Sequence, residues 1–266
     1  MSSTLNEGEA TSRDDAIARL RAAGYALLPP ATLAAASSVD PGDLDALRDS
    51  WEALAPDAYL RDGGRYRFRR HSCFTQSFVP AELAAVARRA HWQPTTYNAL
   101  HGGIERWFEP IEPGVQSARA WRQLLEALGR LFAQVNPVDR WYIEAHQFRI
   151  DSVNGIGRPT PEGAHRDGVD FVAVILVERH NVKGGETRVF DANGSTGTRF
   201  TMHRPWSALL MNDARVIHET TPIQPAAQGG DRGDRREGHP GHSGAPAFRD
   251  TLVLTYRAGG FQARQA

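Results

Sequence analysis

Cysteine is all but missing from this chain: Cys73 is the only one in 266 residues. A single thiol excludes an internal disulfide framework and any cysteine-rich zinc or iron–sulfur site, and it is the usage expected of a cytoplasmic protein. Lysine is just as scarce. Lys183 is the only one, so the other basic residues are all arginine. Any buried cation is then expected to be a guanidinium, which can grip a carboxylate with two parallel hydrogen bonds. An excess of one charge is also lacking, since 31 Lys+Arg stand against 31 Asp+Glu. Without a basic field there is little to release counterions from nucleic acid or to hold an anionic membrane surface. The longest apolar run, Phe171 to Val177, is seven residues, where a bilayer-spanning helix needs about 20. The polar start from Met1 to Arg13 does not have the form of a signal peptide.

What is present falls into two parts. Residues 1–13 are expected to form a disordered tail, and 14–260 a single domain, helical in 14–139 and β-rich in 140–260. Asp14 to Ala23 carries Ile17, Leu20 and Ala23 on one stripe, with Gly24 as its stop. Tyr25 to Leu28 reads as a short strand. Asp40-Pro41 starts a further helix, with Leu44, Leu47 and Trp51 as its buried stripe. Pro80 to Ala90 is expected to be helical. Ser117 to Val135 is the longest helix, because Trp121, Leu124, Leu125, Leu128 and Phe132 recur at three and four. Trp141 to Asp151, Phe171 to Val177, Glu186 to Phe190 and Thr251 to Tyr256 read as strands. Ser207 to Met211 and Arg215 to Thr221 read as a hairpin about Asn212-Asp213. Short strands at this spacing point to a sandwich or a barrel, with the helices outside it. Gln224 to Ala245, 22 residues without an aromatic or a long aliphatic side chain, is expected to be a flexible loop inserted in the core.

The chemistry concentrates at His165-Arg166-Asp167, just before the run at Phe171. In an extended segment residues i and i+2 share a face, so an imidazole and a carboxylate would meet at one point. A second imidazole, His218, lies among β-branched residues in Arg215 to Thr220. Two histidines and a carboxylate are the ligand set of non-haem iron oxygenases. After the loop, Arg249 opens a strand and Thr251 shares its face, an arrangement suited to one end of a dicarboxylate. Arg257 lies on the same face, eight residues on and about 26 Å away along a strand, and is expected at the surface. His239 and His242 sit in the low-complexity loop and are expected to be solvated.

The order His-x-Asp, distal His, then Arg-x-Thr resembles that of the Fe(II)/2-oxoglutarate-dependent dioxygenases. Pro161 to Gly168, Gly184-Gly185-Glu186, Ile217 to Pro222 and Phe248 to Val253 are similar to the bacterial family that includes the free L-isoleucine 4-hydroxylases. Gln147-Phe148-Arg149 and the Arg67 to Arg69 region share that likeness, which runs over roughly residues 15 to 260. The resemblance implies an α+β, mainly β fold: a double-stranded β-helix (jelly roll, cupin-like), with N-terminal helices packed against one sheet. It implies His165, Asp167 and His218 as Fe(II) ligands, and Arg249 with Thr251 as the seat of 2-oxoglutarate. It implies hydroxylation of a small molecule, most nearly a free L-amino acid, by O2 with release of succinate and CO2. Arg149, for which a structural ion pair is the other reading, and Arg67, which shares an extended face with Arg65 and Arg69, are candidates for a substrate carboxylate. Two other readings of the same residues are a cupin-like metal enzyme that does not use 2-oxoglutarate and a non-catalytic binding protein on the same fold.

Overall fold

A computed structural model of the chain describes residues 8–98, 100–153, 155–226 and 246–264. The order of elements begins with α1 (Arg13–Ala23), β1 (Tyr25–Leu28), α2 (Pro30–Ser37), α3 (Pro41–Asp45) and a 3-10 turn at Arg48–Trp51. Next come β2 (Arg67–Phe78), β3 (Ala81–Ala85), α4 (Pro113–Ser117) and α5 (Arg119–Val135). The second half holds β4 (Arg140–Asp151), β5 (Phe171–His180), β6 (Val182–Gly184), β7 (Thr187–Asp191) and β8 (Gly197–Phe200). It ends with β9 (Ala208–Asn212), β10 (Val216–Thr220), β11 (Ile223–Pro225) and β12 (Phe248–Arg257).

A seven-stranded antiparallel sheet, ordered β1-β9-β5-β12-β4-β2-β3, is the frame. A smaller sheet, β10-β7-β8, and the pair β11-β6 complete the β structure. The fold is thus mainly β, with antiparallel sheets and N-terminal helices, in keeping with a jelly roll. The β5 segment is apolar at every position from Phe171 to Val177 because it is covered on both faces. One face of the large sheet takes α5, whose Trp121, Leu124, Leu125, Leu128 and Phe132 are all at most 1% exposed. Phe132 stacks on Phe171 at 4.6 Å, and Tyr256 donates from its hydroxyl to Leu125 O at 2.8 Å. Gly129 lets α5 cross close to the sheet, since a Cβ there would fall 1.8 Å from Gln76 Oε1 and that side chain would have to shift. On the opposite face Val172, Leu176, Val189, Leu209, Met211 and Val216 form a second, smaller core between the sheets.

Strand alternation then decides what enters the space beside that second core. From β4 the cavity receives Glu144, His146, Phe148 and Ile150, and from β12 it receives Arg249, Thr251, Val253 and Thr255. The register aligns these side chains in rows across β12, β4 and β2. Arg249, Ile150 and Arg67 make one row, and Thr251, Phe148 and Arg69 the next.

Several expectations change. Pro80 to Ala90 is not a helix: Ala81–Ala85 is the edge strand β3, paired with β2. Its alanines favour a helix by propensity, and sheet pairing overrides them. The residues on either side of Asn212-Asp213 do not pair with each other. β9 joins β5 and β1, while β10 joins β7, so the turn carries the chain from one sheet to the other. The division at residue 139 also dissolves, because β1, β2 and β3 from the N-terminal half belong to the large sheet. Of the expected tail, Glu9 already bridges Leu27, and Ser12 caps α1 by accepting from Asp15 N; residues 1–7 lie outside the described residues. So does nearly all of the expected loop at 224–245, apart from the end of β11 and Ala226. Among the described residues no helix is long and apolar enough to cross a membrane.

Candidate metal centre and its cavity

His165 and His218 are directly opposed across an isolated antiparallel bridge. The N–H of each donates to the other's carbonyl at 3.0 Å. That pairing sets the two imidazoles side by side, with ring centroids 4.6 Å apart. Asp167 follows on the same face. Its Oδ1 lies 3.8 Å from His165 Nε2 and its Oδ2 lies 3.9 Å from His218 Nε2. The three donor atoms fall within 4.8 Å of one another, where an octahedral metal at about 2.1 Å would draw neighbours to about 3 Å. The loop that presents Asp167 is fixed by Asp213, whose carboxylate accepts from the backbone N–H of Asp167, Gly168 and Val169 at 3.0, 2.8 and 3.2 Å. Gly168 is needed there, with φ of +76° and Tyr97 Cδ2 only 2.4 Å from any added Cβ.

The other nitrogen orients one of the two imidazoles, that of His165, while Nδ1 of His218 has no partner. His165 Nδ1 contacts Gly163 O at 2.9 Å and so carries the proton, which leaves the Nε2 lone pair toward Asp167. Burial lowers the pKa of His165, but Asp167 and then Glu162 outweigh it, so the net shift is upward. Burial, with His165 adding to it, drives His218 well below the ordinary imidazole value, so this ring is neutral.

Arg249, 3% exposed, points into the same cavity with its Nη2 unpartnered. Burial, then Arg179, lowers its pKa to about 10, which still leaves it cationic at neutral pH. Thr251 stands beside it on the same face. Arg257 also lines the cavity, contrary to expectation, because the pocket runs the length of β12; its Nη1 donates to Gly260 O at 2.7 Å.

Of its two readings, Arg149 takes the ion pair. Alternation on β4 turns it away from the cavity-facing Phe148 and Ile150, onto the helix side. There Asp250 accepts from its Nε and Nη2 at 2.9 and 2.7 Å, and Glu52 from its Nη1 and Nη2 at 2.9 and 2.7 Å. With both arms occupied it is a structural ion pair. Arg67 does line the cavity, half-committed to Asp57 through its Nε at 2.7 Å.

The sequence model of the 2OG-Fe dioxygenase family matches residues 48–235. The chain is a 2OG-Fe dioxygenase. A BsmA homologue from Methylobium petroleophilum PM1 is 51% identical over 99% of this chain and 100% of that one, with a TM-score of 0.87. IDO from Bacillus thuringiensis has 15% identity over 97% and 100% of the two chains and a TM-score of 0.72. The Fe(II)/α-ketoglutarate-dependent dioxygenase TqaL has 19% identity over 92% and 86%, with a TM-score of 0.65. At those two identities the likeness is one of fold. No curated protein matches the chain.

Membership of the 2OG-Fe dioxygenases decides among the three readings of the motif in favour of an oxygenase that uses Fe(II), 2-oxoglutarate and O2. The residues present fit that group. Two Nε2 atoms and a carboxylate converge on one point, and a buried guanidinium with an open hydrogen-bond position shares their cavity.

The dioxygenase cavity also holds further polar residues, and among them sequence reasoning passed over His91, Gln93, Arg106 and Glu144. Arg69, His91, Gln93, Arg106, Glu144 and His146 all line it. Glu144 is ringed by imidazoles: its Oε2 lies 2.5 Å from His91 Nδ1, 3.4 Å from His71 Nε2 and 3.6 Å from His146 Nε2. Gln93 Nε2 donates to Asp167 Oδ1 at 3.1 Å, while its Oε1 accepts from Arg106 Nη2 at 2.9 Å and from Asn98 Nδ2 at 3.1 Å. Alternation already groups Arg69 with Arg67, and the alternation of β4 could have revealed Glu144 beside His146. His91, Gln93 and Arg106 come from irregular chain, where no period marks a face.

Proposed function

We propose that this dioxygenase holds Fe(II) on His165, Asp167 and His218, and seats the C5 carboxylate of 2-oxoglutarate on Arg249 with Thr251 as helper. Its second substrate is a small molecule, a free L-amino acid, bound on the Arg67 side of the cavity in a cytoplasmic enzyme. The observation that carries this reading is the unpartnered Nη2 of buried Arg249 in the same cavity as the three converging donors. The likeness of Pro161 to Gly168 and Phe248 to Val253 to the free L-isoleucine 4-hydroxylases supports the amino-acid class.

When bound, iron with 2-oxoglutarate and O2 supplies the oxidation of a C–H bond, with succinate and CO2 released. The chain's own residues do the rest. His165 keeps its proton on Nδ1, against Gly163 O, so that Nε2 stays available. Asp213 holds Asp167 in register through three backbone N–H groups. Phe148, Val174 and Val253 give the cavity apolar walls that exclude water beside the reacting centre.

The test begins with anaerobic addition of Fe(II) and 2-oxoglutarate, read as a weak visible absorption band. A screen of the twenty free L-amino acids for succinate formation follows. His165→Ala and Asp167→Ala are expected to abolish both signals while circular dichroism stays unchanged. Succinate formation retained in either variant would overturn the metal assignment, and a silent screen would overturn the amino-acid class.

A further inference from the structure

Three further arginines line the cavity, two of them on β2, two strands from Arg249. Arg67, Arg69 and Arg106 are 6, 3 and 2% exposed, and each has a nitrogen without a partner: Nη2 of Arg67 and Nε of Arg69 and Arg106. Arg69 is clamped between Phe108 and Phe148, its guanidinium carbon 3.8 and 4.3 Å from the ring centroids. Of the acidic groups nearby, all but Glu162 are already engaged. Asp57 is shared by Arg67 at 2.7 Å and Arg69 at 3.8 Å. Glu144 is taken by its imidazoles and Asp167 accepts from Gln93 Nε2, while Glu162 lies 3.5 Å from His165 Nε2 with its own Oε2 unpartnered. Arg106 is left with a neutral amide oxygen, that of Gln93. Burying a guanidinium with so little compensation is costly.

The nearby histidines and Glu144 do not make a second metal centre. Arg69 Nη2 donates to His146 Nδ1 at 2.7 Å, so His146 carries its proton on Nε2, the atom facing Glu144, and has no lone pair there for a metal. A dication would also meet the field of three guanidiniums. The cluster is read instead as a network that holds Glu144 anionic and so keeps Arg69 in place.

We propose that Arg67, Arg69 and Arg106 form a receptor for a carboxylate of the oxidised substrate, separate from the seat of 2-oxoglutarate. Arg249 and Arg67 stand in one row with Ile150 between them, two strand spacings or about 10 Å apart. The receptor is also tied to the metal centre, because Arg106 holds Gln93 Oε1 and Gln93 Nε2 holds Asp167. An acid bound there would place its neighbouring carbons close to the metal. This inference rests on the oxygenase reading of the cavity, and not on the substrate's being an amino acid.

The test uses isobutyrate and its neutral isostere isobutyramide as probes of the full-length, Fe(II)-loaded protein, anaerobically and with saturating 2-oxoglutarate. Proton NMR reads the paramagnetic broadening of each probe. Isobutyrate is expected to broaden at least tenfold more than the amide. Arg106→Met and Arg67→Met are expected to remove that difference, and Arg106→Lys to restore part of it. The apparent affinity for 2-oxoglutarate, read from its absorption band with iron, should change less than twofold in Arg67→Met, which has no link to Gln93, and fall in Arg249→Met. Equal broadening by acid and amide would overturn the proposal, as would full broadening in both Met variants. A loss of 2-oxoglutarate affinity in Arg67→Met would assign the receptor to the cosubstrate and overturn it equally. Should a Met variant not fold, the wild-type acid–amide comparison and Arg106→Lys decide. Acid-specific broadening beside a silent amino-acid screen would uphold the receptor and refute only the amino-acid class.

Discussion

Replacing Gln93 with Leu should loosen the metal centre without touching a ligand. Leu matches the volume of Gln but can neither accept from Arg106 and Asn98 nor donate to Asp167 Oδ1. Two buried donors lose their acceptor, at about 1–3 kcal/mol each, offset by about 1.5–3 kcal/mol from burying an apolar side chain. The metal-free fold should therefore weaken only modestly. The carboxylate, however, loses the group that orients it, and loss of such a partner typically costs about 10–100-fold in metal affinity. The consequence can be read thermally. With metal at about 100 times the wild-type Kd, binding adds about 2.7 kcal/mol to stability; after a 100-fold loss the same concentration adds about 0.4 kcal/mol. For a chain of this size about 2–4 °C corresponds to each kcal/mol. The metal-induced rise in Tm should thus shrink from roughly 5–11 °C to about 1–2 °C. Differential scanning calorimetry with and without Fe(II) under anaerobic conditions, or with Mn(II) in air, measures both numbers. An unchanged metal-induced rise, with Tm of the metal-free protein lowered, would show that Gln93 serves packing alone and that Asp167 needs no orienting partner.

Further outcomes follow from other parts of the molecule. Arg249→Ala should raise the KM for 2-oxoglutarate at least tenfold while the Fe(II) requirement changes little; equal effects on both would move that role to another arginine. Phe132→Ala, which empties the stack on Phe171 beneath the large sheet, should cost about 3–5 kcal/mol, measured by urea unfolding, with the weak absorption band of the loaded site retained. Asp57 is held below its ordinary value of 3.8, because Arg69 and Arg67 outweigh the effect of burial. A depressed carboxylate contributes stability above its unfolded pKa and loses it as pH falls through the folded value. Acid unfolding of Asp57→Asn should accordingly be flatter below about pH 4 than that of the wild type; parallel curves would contradict the pairing.

The site's legibility in the sequence tracks the regularity of the backbone. His165 and Asp167 could be paired by the two-residue period, and so could Arg249 and Thr251, because each pair lies on extended chain with one buried face. The same period puts Arg149 on the wrong side once Phe148 and Ile150 are known to face inward. Motif likeness alone does not say which face is which. The partners of Asn212-Asp213 were hidden for a different reason. A tight turn between two strands fits a hairpin and a crossing between sheets alike, and only the positions of β5 and β7 decide between them. His91, Gln93 and Arg106 come from chain without period, so nothing local announces that they reach the metal centre. β1 is legible as a short apolar run, but β2 and β3 are obscured by composition, since the alanine-rich stretch at β3 and the arginine-rich start of β2 do not read as strands from propensity.

The bridge between His165 and His218 has a mechanical consequence for a chain with one cysteine. A divalent ion on those two side chains and Asp167 would fasten the lead-in to β5 onto β10, closing a loop of about 50 residues that contains β5 to β9. Treated as a covalent staple, such a closure removes chain entropy worth about 4 kcal/mol. The centre would then lock the small sheet against the large one, in the part a disulfide plays in secreted proteins. Stripping the metal would loosen that sheet before the rest of the fold, and hydrogen exchange in β7 and β10 would be the first to quicken.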